Sequence, residues 1–431
     1  MLSNDRSQPR LIADSRAKLT RIAAFLLSFG AGKLAIYCVP LAVAAMASAE
    51  IYGSVEVAYA TTLLVATALI SAPLHGLSHR YLIFHRADIG DQAAALVLAA
   101  SLFSLCAVAI GLASGISAPV LLILAVSGVT ATQIVLSFLL RIKERPGILA
   151  WVDGLVLLLG MVIVGIAELA LGGATLTITI TGYVLAGFFI AVVATYVLVR
   201  DRMPHLGQRL RENLQLGMTM AVYAMFGTWI AVSGRILVGI TAPRDLPAFG
   251  VAFRIAGIAL GVQQLAFTAF WNQIYTSRTR PADGLLARAI AATAVVVALI
   301  SIFGRVVIGT IRFEALDRNA MFLAQALLAP VSLHVFFWSA QVLLQARINR
   351  LGAARAAILP LALVSAAGLA CIIAAHVAGA STIVVVWLIA GYSAAYFATT
   401  WITLARRGFP HVRTLQVALG CGLILALVSL L

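Results

Sequence analysis

The sequence has little charge: only 10% of its 431 residues are Asp, Glu, Lys or Arg, against 62% that are hydrophobic. Ordinary soluble domains carry about a quarter of their residues as charges, so this scarcity excludes a water-solvated fold. Long polar stretches are missing too. Apolar runs of about 20 residues, the length that crosses a hydrocarbon core, recur along the chain and leave no room for a soluble domain of useful size. Cysteine is sparse. Cys38, Cys106, Cys371 and Cys421 stand singly in apolar stretches, without CxxC or CxxH spacing, which gives no cysteine metal site and leaves them as packing residues. Basic runs interleaved with aromatics are absent, so the net charge of +15 is not the footprint of a nucleic-acid binder.

What remains is an all-α membrane pattern with a mean hydropathy of +1.05. Apolar runs bounded by charge, Gly and Pro predict thirteen spans, at 22–46, 55–78, 92–115, 118–140, 147–169, 176–199, 214–240, 248–275, 285–309, 321–346, 353–377, 381–404 and 413–431. Ala47-Ser48-Ala49 resembles a signal-peptidase site, but the apolar run before it exceeds the roughly 7–15 residues of a signal peptide and carries Lys33 at its middle. No cleavage is expected.

Loop charges give an orientation. With the N-terminus in the cytoplasm, the loops on the inner side hold 23 of the 30 basic residues, and the outer loops hold Arg244, Arg312 and Arg318 alone. That asymmetry is the positive-inside pattern, and one missed span would scramble it. Span 13 is the weakest, because the chain stops at Leu431 without a polar flank.

An internal repeat divides the chain. Gly32-Lys33-Leu34-Ala35-Ile36, then Pro40, then Ile51-Tyr52-Gly53 is matched by Gly234-Arg235-Ile236-Leu237-Val238, then Pro243, then Ala248-Phe249-Gly250. Both copies run outward, so the repeat predicts two pseudo-symmetric six-helix bundles around a central cavity, related by an axis along the membrane normal. The expected parts are a basic cytoplasmic N-terminus at 1–21, a first bundle at 22–200, a linker at 201–213, a second bundle at 214–405 and an extra C-terminal helix within 406–431. Substrate would sit between the bundles near the bilayer midplane.

Charges inside spans cost about 2.5–3.5 kcal/mol each at the helix centre on insertion scales, and so face a cavity or a partner. Four cations qualify: Lys33, Arg235, Arg254 and Arg305, with Asp153, Glu56 and Glu168 as the acidic counterparts. A cavity lined this way is net cationic and suits an anionic group, which arginine grips through two parallel hydrogen bonds. Snorkelling to the outer interface accounts for Arg254 and Arg305 as well. Asp153 is a candidate ion-coupling residue, a protonatable carboxylate that would couple transport to a proton gradient, with pairing to a buried arginine or a place in the interface as the alternatives. His75 and His79 have metal-ligand spacing but no third ligand nearby, so no metal is expected. The polar-aromatic faces formed by His334, Trp338 and Gln341, and by Gln263, Gln264, Trp271 and Asn272, suit sugar contact or interhelical hydrogen bonding alike.

The passage Trp229-Ile-Ala-Val-Ser-Gly-Arg-Ile-Leu-Val-Gly-Ile240 followed by Ala248-Phe-Gly-Val-Ala-Phe-Arg-Ile-Ala256 resembles the span 7–8 signature of the Wzx-type polysaccharide flippases. Ala49-Glu50-Ile51-Tyr52-Gly53 with Val57-Ala58-Tyr59-Ala60 is similar to the span 1–2 junction of these lipid-linked oligosaccharide translocases. They belong to the multidrug/oligosaccharidyl-lipid/polysaccharide (MOP) exporter superfamily. The resemblance implies a non-enzymatic protein of the bacterial inner membrane, without cofactor, that flips an undecaprenyl-diphosphate-linked oligosaccharide by alternating access. It implies membrane lipids and polysaccharide polymerase machinery as partners. It places cavity cations at Lys33, Arg235 and Arg254. Where the family often has an acidic residue beside the span 7 cation, this chain has Gly234. A drug exporter of the same superfamily would favour cavity carboxylates, and a polytopic polymerase or ligase would carry a sizeable outer loop; the longest here is around 310–320.

Overall fold

The computed structural model describes residues 27, 29–30, 37–46, 48–84, 90–142, 206–277 and 279–430. Lys33, Asp153, Glu168, about half of the first expected span and the whole of the expected spans 147–169 and 176–199 lie outside these residues. Among the described residues there is no strand, as lipid demands of a spanning chain whose amides have no water to bond.

The helices are α1 (Tyr37–Met46), α2 (Ala49–Phe84), α3 (Gly90–Ala113), α4 (Ala118–Ile142), α5 (Leu206–Thr241), α6 (Leu246–Gly257), α7 (Leu260–Thr276), α8 (Thr279–Thr310), α9 (Arg318–Arg350), α10 (Ala354–Val377), α11 (Thr382–Arg406) and α12 (Val412–Leu430). Seven of the helices in the described residues are long and apolar enough to cross a membrane, or eight when the bent pair around α6 and α7 counts as one span. The protein is a multi-pass helical membrane protein. Its outward faces are apolar: Ile302, Phe303 and Val306 on α8, and Leu359 and Leu363 on α10, are exposed, and lipid takes the place of a core partner there.

One expected span is not continuous. The run 248–275 is broken between α6 and α7, with a 42° bend. At the break, Ile258 and Ala259 donate to the carbonyls of Ile255 and Ala256, and Gly261 donates to Ile258. These three-residue turns tighten the helix and misalign the ladder. Gly257 permits the bend's close neighbour, since a Cβ there would stand 3.0 Å from the Tyr37 ring.

The longest seam joins α2 to α5, one helix from each expected half, and it is packed from end to end. At the arginine-rich end, Gly76 lies against the Asn213 backbone and Gly217 against that of Ala72, so close that neither glycine has room for a side chain. Arg80 pairs with Glu212 and Asn213 donates to Gln92 beside them. Midway, Thr228 donates to Thr67 at 3.4 Å. At the arginine-poor end, the space over Gly239 is filled by Val57.

Arg347, counted among the loop charges, is in fact buried. Its guanidinium donates to the carbonyls of Ile274 and Ser277, both at 2.9 Å, and so closes the C-terminal end of α7, where free carbonyls and the helix dipole favour a cation. The expected thirteenth span is helical as α12 and packs on α8 and α9, with Gly422 seated on the Phe337 ring.

Candidate functional site

Three charged side chains from the two expected halves meet in one buried cluster. Glu56 stands two turns into α2, on a helix whose early residues Tyr52 and Gly53 are the first copy of the aromatic-Gly motif. Arg254 occupies the last turn of α6, which carries the second copy, Phe249-Gly250. Arg235 lies two turns before the end of α5. The two motif copies face each other: Gly250 leaves 3.0 Å between its Cβ position and both Glu56 and the Tyr52 ring, and Gly53 lies against Leu246. A side chain at 250 would therefore displace the carboxylate from its partners.

Glu56 is fully buried. Arg254 grips it with two hydrogen bonds, Nε to Oε1 at 2.7 Å and Nη2 to Oε2 at 3.0 Å, the planar fork that makes Arg–carboxylate pairs both strong and directional. Arg235 approaches the same carboxylate more loosely, Nη1 to Oε2 at 3.5 Å. Its Nε has no partner. Aromatic faces complete the desolvated shell, with the Arg235 guanidinium 4.8 Å from the Phe253 ring centroid and that of Arg254 5.4 Å from Tyr59. Two cations against one anion leave the cluster with one net positive charge, in surroundings where a bare charge is costly.

Arg235 and Arg254 are thus brought together. Arg254 does not snorkel; it is 5% exposed and locked on Glu56. Arg305, expected with them, is exposed on the outside of α8 and apart from the cluster. At about 1.5 Å per residue, the cluster lies roughly 10 Å below the arginine-poor ends of α2 and α5, nearer that face than the midplane expected from the repeat. The residue that sequence reasoning placed at a span end, Glu56, is the centre of the site. Gly234, which lacks the acidic side chain found beside the cation in the resembling family, has no room for one: its Cβ would stand 2.8 Å from Phe249.

Beyond Phe253 lies a second polar group. His334 on α9 is buried, its ring 6.2 Å from that of Phe253 and its Nδ1 2.6 Å from Ser393 Oγ on α11. One helical face further along α9, Gln341 donates to Tyr223 at 3.4 Å. The polar face of span 10 is turned inward to other helices. No group of three or more metal-ligating side chains occurs among the described residues.

No family model matches the sequence. No curated protein matches it either. Solved structures do. The eukaryotic MATE transporter AtDTX14 superposes with a TM-score of 0.58 at 12% identity, over 96% of this chain and 99% of its own. An outward-facing multidrug resistance MATE family transporter of the MOP superfamily gives 0.53 at 12% identity, over 89% and 94%. A MOP superfamily transporter from Pyrococcus furiosus, described as having a binding pocket of reversed polarity, gives 0.53 at 12%, over 94% and 96%. The chain therefore has the fold of the MATE transporters of the MOP superfamily.

Proposed function

We propose that the protein is a flippase that carries an undecaprenyl-diphosphate-linked oligosaccharide across the bacterial inner membrane by alternating access, with its N-terminus in the cytoplasm. The observation that carries the reading is the sign and sharing of the buried cluster. Glu56 belongs to one half, Arg235 and Arg254 to the other, and the sum is cationic. Opening a path between the halves at that face parts Glu56 from the two guanidinia. A diphosphate is the kind of anion that replaces it, since each phosphate presents several acceptor oxygens to an arginine fork.

Within the cluster the two arginines divide the work. Arg254 holds Glu56 and shuts the seam. Arg235, loosely paired and with an unpartnered Nε, is the cation free to take a phosphate oxygen, and Lys33 on the first span is its expected counterpart. Arg305, being exposed, is left to the interface. A transporter of cations needs a carboxylate open to its substrate, and Glu56 is closed by both arginines. The solved MOP transporter with a reversed-polarity pocket, described as suggesting a different function, is a precedent for reading charge sign as a guide to cargo.

The test is complementation of a flippase-deficient strain, with membrane insertion and folding measured alongside. Arg235→Ala is expected to insert and fold yet lower surface polysaccharide about tenfold or more, the loss of one charge-assisted contact worth about 1.4 kcal/mol or above. Normal polysaccharide with Arg235→Ala, or efflux of a cationic dye by the wild type with no effect on polysaccharide, would overturn the reading.

A further inference from the structure

We propose that a cleft at the arginine-poor face, between the α5–α6 and α10–α11 connections, is a binding site for a hydroxyl-rich, uncharged sugar. The cleft has a volume of about 460 Å³, with Asp245, His376, Ser381 and Thr382 as its polar lining and Leu323 and Ile383 in its apolar wall. That size falls within the roughly 300–1,000 Å³ of small-molecule pockets, where a few placed polar groups orient a ligand against apolar surface.

The polar groups are present because two helix starts leave their cap side chains unused. Asp245 and Ser381 occupy the N-cap positions of α6 and α11, and residues of these types ordinarily accept from the first free amides of their own helix. Neither does so. Asp245 Oδ2 accepts instead from the hydroxyl of Thr382, on a different helix, and its Oδ1 has no partner among the described residues. Gly379, at φ 75°, reverses the chain between the last turn of α10 and the start of α11, which brings the exposed His376 and Ser381 to one cleft. The amides of Thr382, Ile383 and Val384 precede the first bond of the α11 ladder, made by Val385 to the Ser381 carbonyl at 3.1 Å.

This set matches a sugar, whose hydroxyls both donate and accept. Asp245 takes hydroxyl protons, the α11 amides give them, and the Ser381 hydroxyl and the His376 ring do either. The carboxylate is the one formal charge in the lining, so a phosphate or a uronate is repelled where a neutral ring is held. A metal ion is poorly served, since Asp245 and His376 are the only metal-ligating types in the lining. Asp245 precedes Arg254 by nine positions along α6, roughly 14 Å at about 1.5 Å per residue, on the side away from the bilayer centre. A cargo held by its diphosphate at Arg235 therefore has its sugars, not its charge, at the level of the cleft. Assigning the bound sugar to the cargo rests on the function proposed above, whereas the sugar site itself does not.

The experiment uses the full chain in phosphatidylcholine nanodiscs and saturation-transfer NMR with the methyl glycosides of glucose, galactose and N-acetylglucosamine, and with methyl glucuronide as the anionic control. At least one neutral glycoside is expected to receive saturation from the protein. Asp245→Ala is expected to weaken its binding about tenfold, the loss of a hydrogen bond to a charged group. Transfer to none of the neutral glycosides, transfer unaffected by Asp245→Ala, or glucuronide bound as well as the neutral rings overturns the site. Should Asp245→Ala fail to insert, Ser381→Trp, at an exposed position, fills the cleft, and transfer that survives it overturns the site equally.

In the second arm, surface polysaccharide is measured in a flippase-deficient strain carrying Ser381→Trp, with Arg235→Ala alongside. Export lowered by Ser381→Trp supports the cargo's sugars as the occupant. Export lowered by Arg235→Ala but unchanged by Ser381→Trp overturns that assignment while the flippase reading stands. Normal export with Arg235→Ala removes the flippase reading, and saturation transfer then decides the sugar site by itself.

Discussion

The molecule buries two charged clusters near its opposite faces, and they are built on different principles. At the arginine-poor face, Glu56, Arg235 and Arg254 meet one another through side chains alone, across the seam between the two expected halves. At the arginine-rich face, Asp283 and Arg347 are both bound to backbone. Asp283 accepts from the amides of Arg413 and Thr414 at 3.1 and 2.9 Å, and from the Thr414 hydroxyl, so it caps α12 from 130 residues away. Arg347 closes α7 in the mirror sense, a cation on free carbonyls. Charges tied to helix ends cannot leave without unravelling a helix. Charges tied only to each other can exchange partners, and that freedom belongs to the cluster between the halves.

Substitutions that break the contrast should act in decreasing order. Glu56→Gln leaves two buried guanidinia without a counter-charge, a situation that costs about 3–5 kcal/mol in buried pairs. Thermal unfolding of the purified protein should show it as the largest loss of the series, and a melting temperature equal to wild type would dissolve the claim that Glu56 holds the seam.

Asp283→Asn keeps an acceptor but loses the charge on the α12 N-terminus, and is expected to cost about 1–2 kcal/mol. Its effect should be local. Hydrogen exchange at the Arg413 and Thr414 amides should quicken while the α2–α5 seam is unchanged, and an equal change at both places would mean that the two clusters are one unit.

A smaller effect is expected from pH. His411, at the start of α12, is fully buried with neither ring nitrogen partnered, 3.8 Å from Asp283. Burial, with the Arg347 charge adding to it and Asp283 opposing, pushes its pKa from 6.5 down to about 4. Because the folded value is depressed, the docking of α12 is fully supported above about pH 6.5 and weakens as pH falls toward about 4, where the unfolded chain has long since taken its proton. Exchange protection of α12 measured across that window should decline in wild type and stay level in His411→Asn.

Much of this was legible from the sequence. Every expected span that falls on described residues is helical, because a 20-residue apolar run in lipid has hardly another option. The two aromatic-Gly pairs on which the repeat was recognised do meet, Gly250 lying against Tyr52. What could not be read was the pairing of Glu56 with a residue 198 positions away, since nothing local marks a carboxylate near a span end as central. The repeat register held the one available signal: Glu56 follows Gly53 by three residues and Arg254 follows Gly250 by four, which sets them at equal depth on facing helices. The break at Ile258 escaped for a different reason, as an apolar run looks the same whether its amide ladder is continuous or stepped. Likewise, a charge count treats Arg347 as a loop cation, and only packing shows it to be a helix cap.

The break in that span has a mechanical side. Arg254 rides on α6, twelve residues long, with the interrupted ladder immediately behind it and the short turn Pro243–Asp245 ahead. A rod pivoted at both ends can roll without bending its neighbours, and the charge it carries sweeps sideways as it does so. The guanidinium that grips Glu56 is thus mounted on a short helix bounded at both ends by a break in the α-helical ladder.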